Sequence, residues 1–344
     1  MKKSWKLWIS IGCILCVLLM ASSGCTKSTP ATDSGKETNA DPRENWPRNV
    51  PIGAATPGGG MFVGASALAS VLQQVFPELN ATVEVTGAAV ENSQLLEAGE
   101  IPIGMVTTEI AWEAYNGKGV FEGKPKHRQL RTLLPGYSNC QVFVTDVDYG
   151  FTSIRDLDGK IVATGSKGSS NEQIGKRIIE CLGINPKIQA LRTTDAVEAL
   201  KNKQITAYVV GIPNSTTVEY ERSTGKTQLL FLEGEDFERF QNMFPQYLPI
   251  TLKAGTLKCV PEDKVHFGGY VNYTCRADLP ESFVYEVVKA TFEHRDTIIK
   301  NTSPETASNL DNTSAATIPY HPGTVKYFKE IGLEIPDHLL PPEN

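Results

Sequence analysis

The sequence predicts an α/β architecture with largely parallel sheets. Short apolar or alternating runs trade places with longer stretches at helical spacing along most of the chain. Turns of small residues follow several of the strands and open the next helix. The composition is globular, with 40% hydrophobic and 21% charged residues, and 344 residues suit about two domains or lobes.

The elements can be taken in order. Val50 to Ala54 reads as a short strand, and Thr56-Pro57-Gly58-Gly59-Gly60 as a turn. Met61 to Phe76 carries Phe62, Ala65, Ala69, Leu72 and Phe76 at helical spacing, and Pro77 stops it. Thr82 to Thr86 alternates as a strand, and Ala89 to Ala98 is a helix closed by Gly99. Ile101 to Val106 is a strand, and Glu109 to Tyr115 a helix. Leu130 to Leu134 and Gln141 to Thr145 read as two separate strands. Lys160 to Thr164 is another, followed by Gly165 to Ser170 and a helix from Asn171 to Leu182 with Gly183 as its cap. Asp195 and Glu198 read as a variant capping box before Ala199-Leu200, and Ile205 to Val210 as a strand. No internal repeat is visible.

The N-terminus bears on the compartment. Lys2, Lys3 and Lys6 precede an uncharged run of 15 residues, Leu7 to Ala21. A membrane span needs about 20 residues, so the run fits the core of a secretory signal. It ends in Ala21-Ser22-Ser23-Gly24-Cys25, which resembles the lipobox of bacterial lipoproteins. That resemblance implies cleavage after residue 24 and a lipid on Cys25, with an ordinary cleaved signal or an uncleaved anchor as the alternatives. Residues 25–45 hold no aromatic or large aliphatic side chain and read as a disordered tether, so globular structure is expected from Trp46.

A net charge of −6 argues against nucleic acid, whose phosphates need a basic face. Seven cysteines are too few for a disulfide scaffold, and none is spaced as a zinc site. Cys140, Cys181, Cys259 and Cys275 remain beyond the N-terminal segment. Cys181 reads as core, and Cys259 with Cys275 is the pair to test for a disulfide. His321 has no partner at metal spacing and reads as structural, so no metal or other cofactor is expected.

Three strand-to-helix turns carry small residues: Thr56 to Gly60, Gly87-Ala88, and Gly165 to Ser170. A helix start presents unpaired N–H groups and the positive end of a dipole, which suits an anion. None matches GxxxxGK[ST] or GxGxxG. Ser169, Ser170 and Asn171 are candidate ligand donors, or else helix caps. Thr107 and Thr108 end a strand, where ligands bind, or cap the next helix. Asn92 contacts ligand or supports the Gly87 loop. Gly211, Pro213 and Asn214 line a cleft or form a plain turn. Met61 and Phe62 line a pocket or belong to the core.

Several of these segments resemble one family. Ile52-Gly53-Ala54-Ala55-Thr56-Pro57-Gly58-Gly59-Gly60-Met61-Phe62 resembles the Thr-Gly-Gly…Gly…Tyr-Tyr opening of the TAXI family, solute receptors of TRAP (tripartite ATP-independent periplasmic) transporters. Thr86 to Asn92 resembles its T-G-(G/S)-S-x-E-N, and Gly99 to Glu109 its GE-x-D-x-G-x-x-x-S-D. Ser153 to Ala163 matches the less specific D-L-x-G-K-x-V, and Gly165 to Glu172 lies where the family has G-x-x-G-S-G-T-E. Ile205 to Pro213 resembles I-D-A-x-F-x-x-x-G-x-P, and Pro319 to Glu330 the terminal P-x-H-P-G-A-x-x-Y-Y-K-E.

The resemblance implies a two-lobed, type II-like periplasmic-binding-protein clamshell with the ligand cleft between the lobes. Lobe one would span 46–135 and 251–344, and lobe two 136–250. It implies a monomeric extracytoplasmic receptor, not an enzyme, that hands a small carboxylate, amino acid or dicarboxylate-like, to an ion-gradient-driven TRAP permease. Gly60, Met61, Phe62, Gly87 and Ala88 would face the ligand. The family's paired tyrosines are Met61 and Phe62 here, and Thr108-Glu109 replaces Ser-Asp, which implies a pocket more apolar on one side. The competing readings are a ligand-sensing subunit of a signalling partner, an ABC-type binding protein, and an extracellular enzyme. No GxSxG or HExxH supports the last, and only five histidines are present.

Overall fold

In a computed structural model, which describes residues 43–302 and 309–342, the chain begins its packed structure at Trp46. The Trp46 indole is buried edge-on between the Phe76 and Phe283 rings. The signal segment, Cys25 and all but the last residues of the expected tether lie outside the described residues.

Two βαβαβα runs supply the frame. The first is β1 (Asn49–Gly53), α1 (Gly60–Val75), β2 (Asn80–Glu84), α2 (Ala89–Ala98), β3 (Ile103–Thr107) and α3 (Thr108–Asn116). The second is β5 (Ile161–Ala163), α4 (Ser170–Leu182), β6 (Lys187–Gln189), α5 (Thr193–Lys201), β7 (Ala207–Ile212) and α6 (Ser215–Thr224). In each run the first strand lies between the other two, and all three are parallel. The sequence shows no repeat, yet the topology repeats.

The connecting pieces are β4 (Leu130–Asp146), β8 (Thr227–Leu230), α7 (Gly234–Met243), β9 (Leu248–Leu252), β10 (Lys264–Arg276), α8 (Glu281–Glu293), α9 (Arg295–Asn301) and α10 (Pro322–Glu330). The sheet order is β2-β1-β3-β10-β4-β7-β5-β6. β10 runs antiparallel to β3, β4 and β9, and β4 antiparallel to β7 and β8. The expected largely parallel sheet is therefore mixed, because β4 and β10 join two parallel units through antiparallel edges.

The apolar core divides the same way. One cluster takes residues from Trp46 to Leu134 and from Val271 to Leu339. Two others take residues from Cys140 to Phe267. Leu252, Leu257, Val260 and Phe267 pack with the second half, so the chain returns to the first core along β10. The result is a two-lobed α/β clamshell.

Three expectations need correction. The strands read at Leu130–Leu134 and Gln141–Thr145 are one strand, β4. Pro135-Gly136 reads as a break, but the pairing with β10 absorbs it as an irregularity between Val271 and Tyr273. Pro135 has no N–H to offer, and the Gly136 N–H donates to the Asn272 side chain at 3.0 Å instead of to the ladder. Asp195 and Glu198 are not a capping box. Both lie inside α5, whose N-cap is Arg192, and they pair with Arg192 and Lys201. Cys259 and Cys275 are free thiols in different cores, as are Cys140 and Cys181. His321 is buried at the N-cap of α10, where Nδ1 accepts from the Gly323 N–H at 3.1 Å.

A buried ionic cluster ties α3 to α4. Glu113 and Arg177 are 2.5 Å apart and almost fully buried, and Tyr247 and Gln246 complete their shell. Removing one partner of such a pair leaves the other charge uncompensated and costs about 3–5 kcal/mol. Arg177→Met is therefore expected to lower the urea midpoint sharply. The double variant Arg177→Met with Glu113→Gln should recover most of the loss, and equal loss in both would show that packing, not charge, dominates.

Glu109, one turn before Glu113, is fully buried. Burial, followed by weaker effects including the Glu113 charge, raises its carboxyl from 4.5 to about 7. A raised carboxyl binds its proton more tightly when folded, so its stabilisation is complete below pH 4.5 and is lost as the pH climbs through 7. The full penalty is about 3 kcal/mol at 1.36 kcal/mol per pH unit. Glu109→Gln should flatten the fall in stability between pH 5 and 8, measured by urea unfolding. An unchanged slope would remove Glu109 as its source.

Candidate ligand-binding site

A cavity of about 360 Å³ opens between the two halves. Its walls are loops at the carboxyl ends of strands, where open α/β sheets place ligands. From the first half come the β1–α1 turn, with Ala55, Thr56, Gly59, Gly60 and Met61, and the β2–α2 turn, with Thr86, Gly87 and Ala88. The second half supplies Ser166, Ser169, Ser170 and Asn171 before and at the start of α4, and Arg192 and Thr193 at the start of α5. Val210, Gly211, Pro213 and Asn214 follow along β7 and its exit. Tyr137 and Asn139 of β4 and Val271 of β10 form the floor.

The cavity thus brings together Gly60, Met61, Gly87, Ala88, Ser169, Ser170, Asn171, Gly211, Pro213 and Asn214 among the residues singled out in the sequence. Phe62, Asn92, Thr107 and Thr108 do not line it. Phe62 packs on the first core. Thr108 Oγ1 accepts from the Tyr270 N–H at 3.0 Å, and the Thr108 carbonyl accepts from Thr317, so this residue fastens α3 to its neighbours. Thr107 is the N-cap of α3 without a side-chain capping bond.

Asn92 is a bracket behind the cavity. Its Nδ2 donates to the Ala54 and Met105 carbonyls at 2.7 and 2.8 Å, and its Oδ1 accepts from the Thr86 hydroxyl at 2.7 Å. One buried amide so fixes the end of β1, the middle of β3 and the Gly87 turn. Several capping alternatives are also realised. Ser169 Oγ accepts from the Glu172 N–H, and Asn214 Oδ1 from the Thr217 N–H, while both residues still border the cavity.

The two principal loops share a device. The Gly87 N–H donates to Glu91 at 2.5 Å and the Gly168 N–H to Glu172 at 2.6 Å, each four residues on. The loops also meet, the Val90 N–H reaching the Gly168 carbonyl at 3.4 Å. Ala88 carries φ 78° and ψ −151°, a region normally held by glycine. The Thr86 hydroxyl, accepting from the Ala88 N–H at 3.2 Å, helps hold it there.

Sequence reasoning missed Tyr137, Asn139 and Arg192. Tyr137 and Asn139 sit two apart on a strand, so they share a face. Their signal was available only if β4 was seen as continuous. Both need facing glycines, since a β-carbon at Gly60 would collide with the Tyr137 hydroxyl and one at Gly211 with the Asn139 amide. Gln141, next on that face, donates from Nε2 to Asn171 Oδ1 at 3.1 Å. Arg192 is exposed at the rim, with Nε 2.9 Å from Asp195 Oδ2. Among the described residues no three His, Cys, Asp or Glu side chains gather as a metal site.

Residues 52–332 match the NMT1-like family. The chain belongs to that family. This NMT1-like chain is also similar to solved structures described as the substrate binding protein of an amino acid ABC transporter (13% identity, 74% of this chain and 96% of that one, TM-score 0.47) and an ancestral arginine-binding protein bound to arginine (14%, 74% and 97%, TM-score 0.48). A third is the periplasmic aliphatic sulphonate binding protein SsuA of Escherichia coli (16%, 85% and 95%, TM-score 0.44).

The Asn92 bracket gives a test. Asn92→Ala leaves the Met105 carbonyl without this donor, while the Ala54 carbonyl keeps the Thr86 hydroxyl at 3.1 Å, so a loss of about 1–3 kcal/mol is expected. The midpoint of urea unfolding should fall accordingly. A loss under about 1 kcal/mol would mean that water replaces the amide.

Proposed function

We propose that the chain is an extracytoplasmic solute receptor that captures a small carboxylate between its lobes and delivers it to a membrane permease of the TRAP type. The observation that carries this reading is the cavity itself. Helix-start loops from both halves converge on it, and among the described residues Arg192 is the one charged side chain in its lining. Helix-start N–H groups and a guanidinium suit a carboxylate. Among the described residues the lining holds serines and threonines but no His, Lys, Asp or Glu to act on them as a general base.

The TAXI resemblance of the β1–α1, β2–α2 and β7–α6 segments supports a TRAP partner over an ABC one. The lipobox-like Ala21 to Cys25 supports a lipid anchor on Cys25. The lobes proposed are 46–135 with the returning C-terminal part, and 136 to the region of Phe267, hinged where β4 and β10 cross.

The test is an intrinsic-fluorescence melt of the full-length chain in mild detergent against amino acids, dicarboxylates, keto acids and short fatty acids. A ligand at 100 times its Kd that binds only the folded state adds about 2.7 kcal/mol and raises the melting temperature by some degrees. A shift with one carboxylate class and no consumption of ligand is expected. Turnover of the ligand, or no shift with any carboxylate, would overturn the reading.

A further inference from the structure

The charge inventory of the cavity restricts the ligand further, on the premise that this cavity is the receptor site. Among the described residues Arg192 is the sole charged side chain of the lining, and its Nε is held by Asp195 at the rim at 2.9 Å, which leaves its two Nη groups for a ligand. The acidic residues near its walls are committed elsewhere. Glu91 and Glu172 accept from the Gly87 and Gly168 N–H groups, Glu172 also pairs with Lys176, and Asp195 pairs with Arg192. An ammonium brought into this cavity would lose its water with no anion to meet it, and burying a charge unpaired is costly.

The floor, by contrast, is polar and neutral. Asn139 is 9% exposed, borders the cavity, and makes no side-chain hydrogen bond among the described residues. Its side chain crowds Gly211. The Tyr137 hydroxyl lies against Gly60 at the facing wall, and burial holds its ionisation far above the ordinary tyrosine range. It is therefore a neutral hydroxyl at any physiological pH. One cation at the rim and two neutral hydrogen-bonding side chains on the floor match a molecule with one anionic end and an uncharged polar group.

We infer that the cavity selects monocarboxylates that carry a hydroxyl or carbonyl group and no ammonium, with Arg192 facing the carboxylate and Tyr137 and Asn139 reading the neutral polar group. An amino acid of the same skeleton is disfavoured because no carboxylate among the described residues lines the cavity and the rim carboxylate, Asp195, is already paired with Arg192. A dicarboxylate is disfavoured because its second charge has no counter-ion.

The experiment is calorimetric titration of the full-length chain in mild detergent with two matched sets: pyruvate, lactate and alanine, and 4-methyl-2-oxopentanoate, 2-hydroxy-4-methylpentanoate and leucine. The oxo or hydroxy member of at least one set should bind at least about tenfold tighter than its amino counterpart. Arg192→Gln should weaken that binding about tenfold or more. Asn139→Asp, which places a carboxylate on the floor, should shift the preference about tenfold toward the amino acid. An amino acid that binds as tightly as its oxo or hydroxy analogue overturns the inference and leaves the receptor reading standing. Preference for 2-oxoglutarate over both monocarboxylate sets does the same. Silence from every carboxylate at millimolar concentration overturns both. Variant folding is checked by the melt, so a loss of binding with an unchanged melt is a loss at the site.

Discussion

The close crossing of β4 and β10 is the constraint on which the rest of the molecule depends. Each half is built on a parallel three-strand unit, and β4 and β10 are the strands that belong to both. β4 spans 17 residues and β10 spans 13, and each runs from one core into the other. They can approach only because two positions lack a β-carbon. One at Gly136 would overlap the Val271 carbonyl, and one at Gly268 would overlap the Asn139 carbonyl. Between those glycines lie Tyr137 and Asn139, opposite Val271 and Gly269. The pairing that joins the halves therefore also builds the cavity floor.

Around that floor the chain concentrates strain and commitment. Ala88 holds a backbone geometry that a side chain resists, at a cost of order 1–3 kcal/mol, and it does so at the cavity wall. Two glutamates accept from loop N–H groups, which fixes the shape of each turn. Asn92 anchors the same turn from behind. Helix α4 links this region to the buried ionic cluster, since Ser170 and Asn171 border the cavity and Arg177, two turns along, meets Glu113 of α3. The helix is thus tied to the other half just before its start, through Gly168 and Val90, and again two turns along, through Arg177.

Local pattern was enough to find most of the frame. α2 spans Ala89 to Ala98 as the sequence implied, because its start follows Gly87-Ala88 and Gly99 ends it at φ 80°. The small-residue turns were legible for the same reason: glycine and serine at strand ends are local signals, and many of them border the cavity. What failed was long-range. Pro135-Gly136 is a break in any local window, and only the partner strand turns it into an irregularity of one continuous β4. Missing that continuity hid Tyr137 and Asn139. Arg192 was overlooked because the Asp195 and Glu198 pattern imitates a cap three residues late. Glu109 and Glu113 look like ordinary helix-surface acids until α4 and β10 pack over them.

The departures from the family pattern at Met61 and Phe62 also read differently in three dimensions. Met61 is a mostly buried wall residue, and Phe62 turns into the first core. From across the cavity the Tyr137 hydroxyl lies against Gly60 of the same turn. In the proposed receptor Arg192 meets the charged end of the ligand, and the rest of it falls to neutral donors and helix-start N–H groups. Such groups discriminate through the penalty of leaving a buried polar atom unpaired, which is large for the wrong ligand and absent for the right one. They add little to the desolvation cost of binding compared with a set of buried ions.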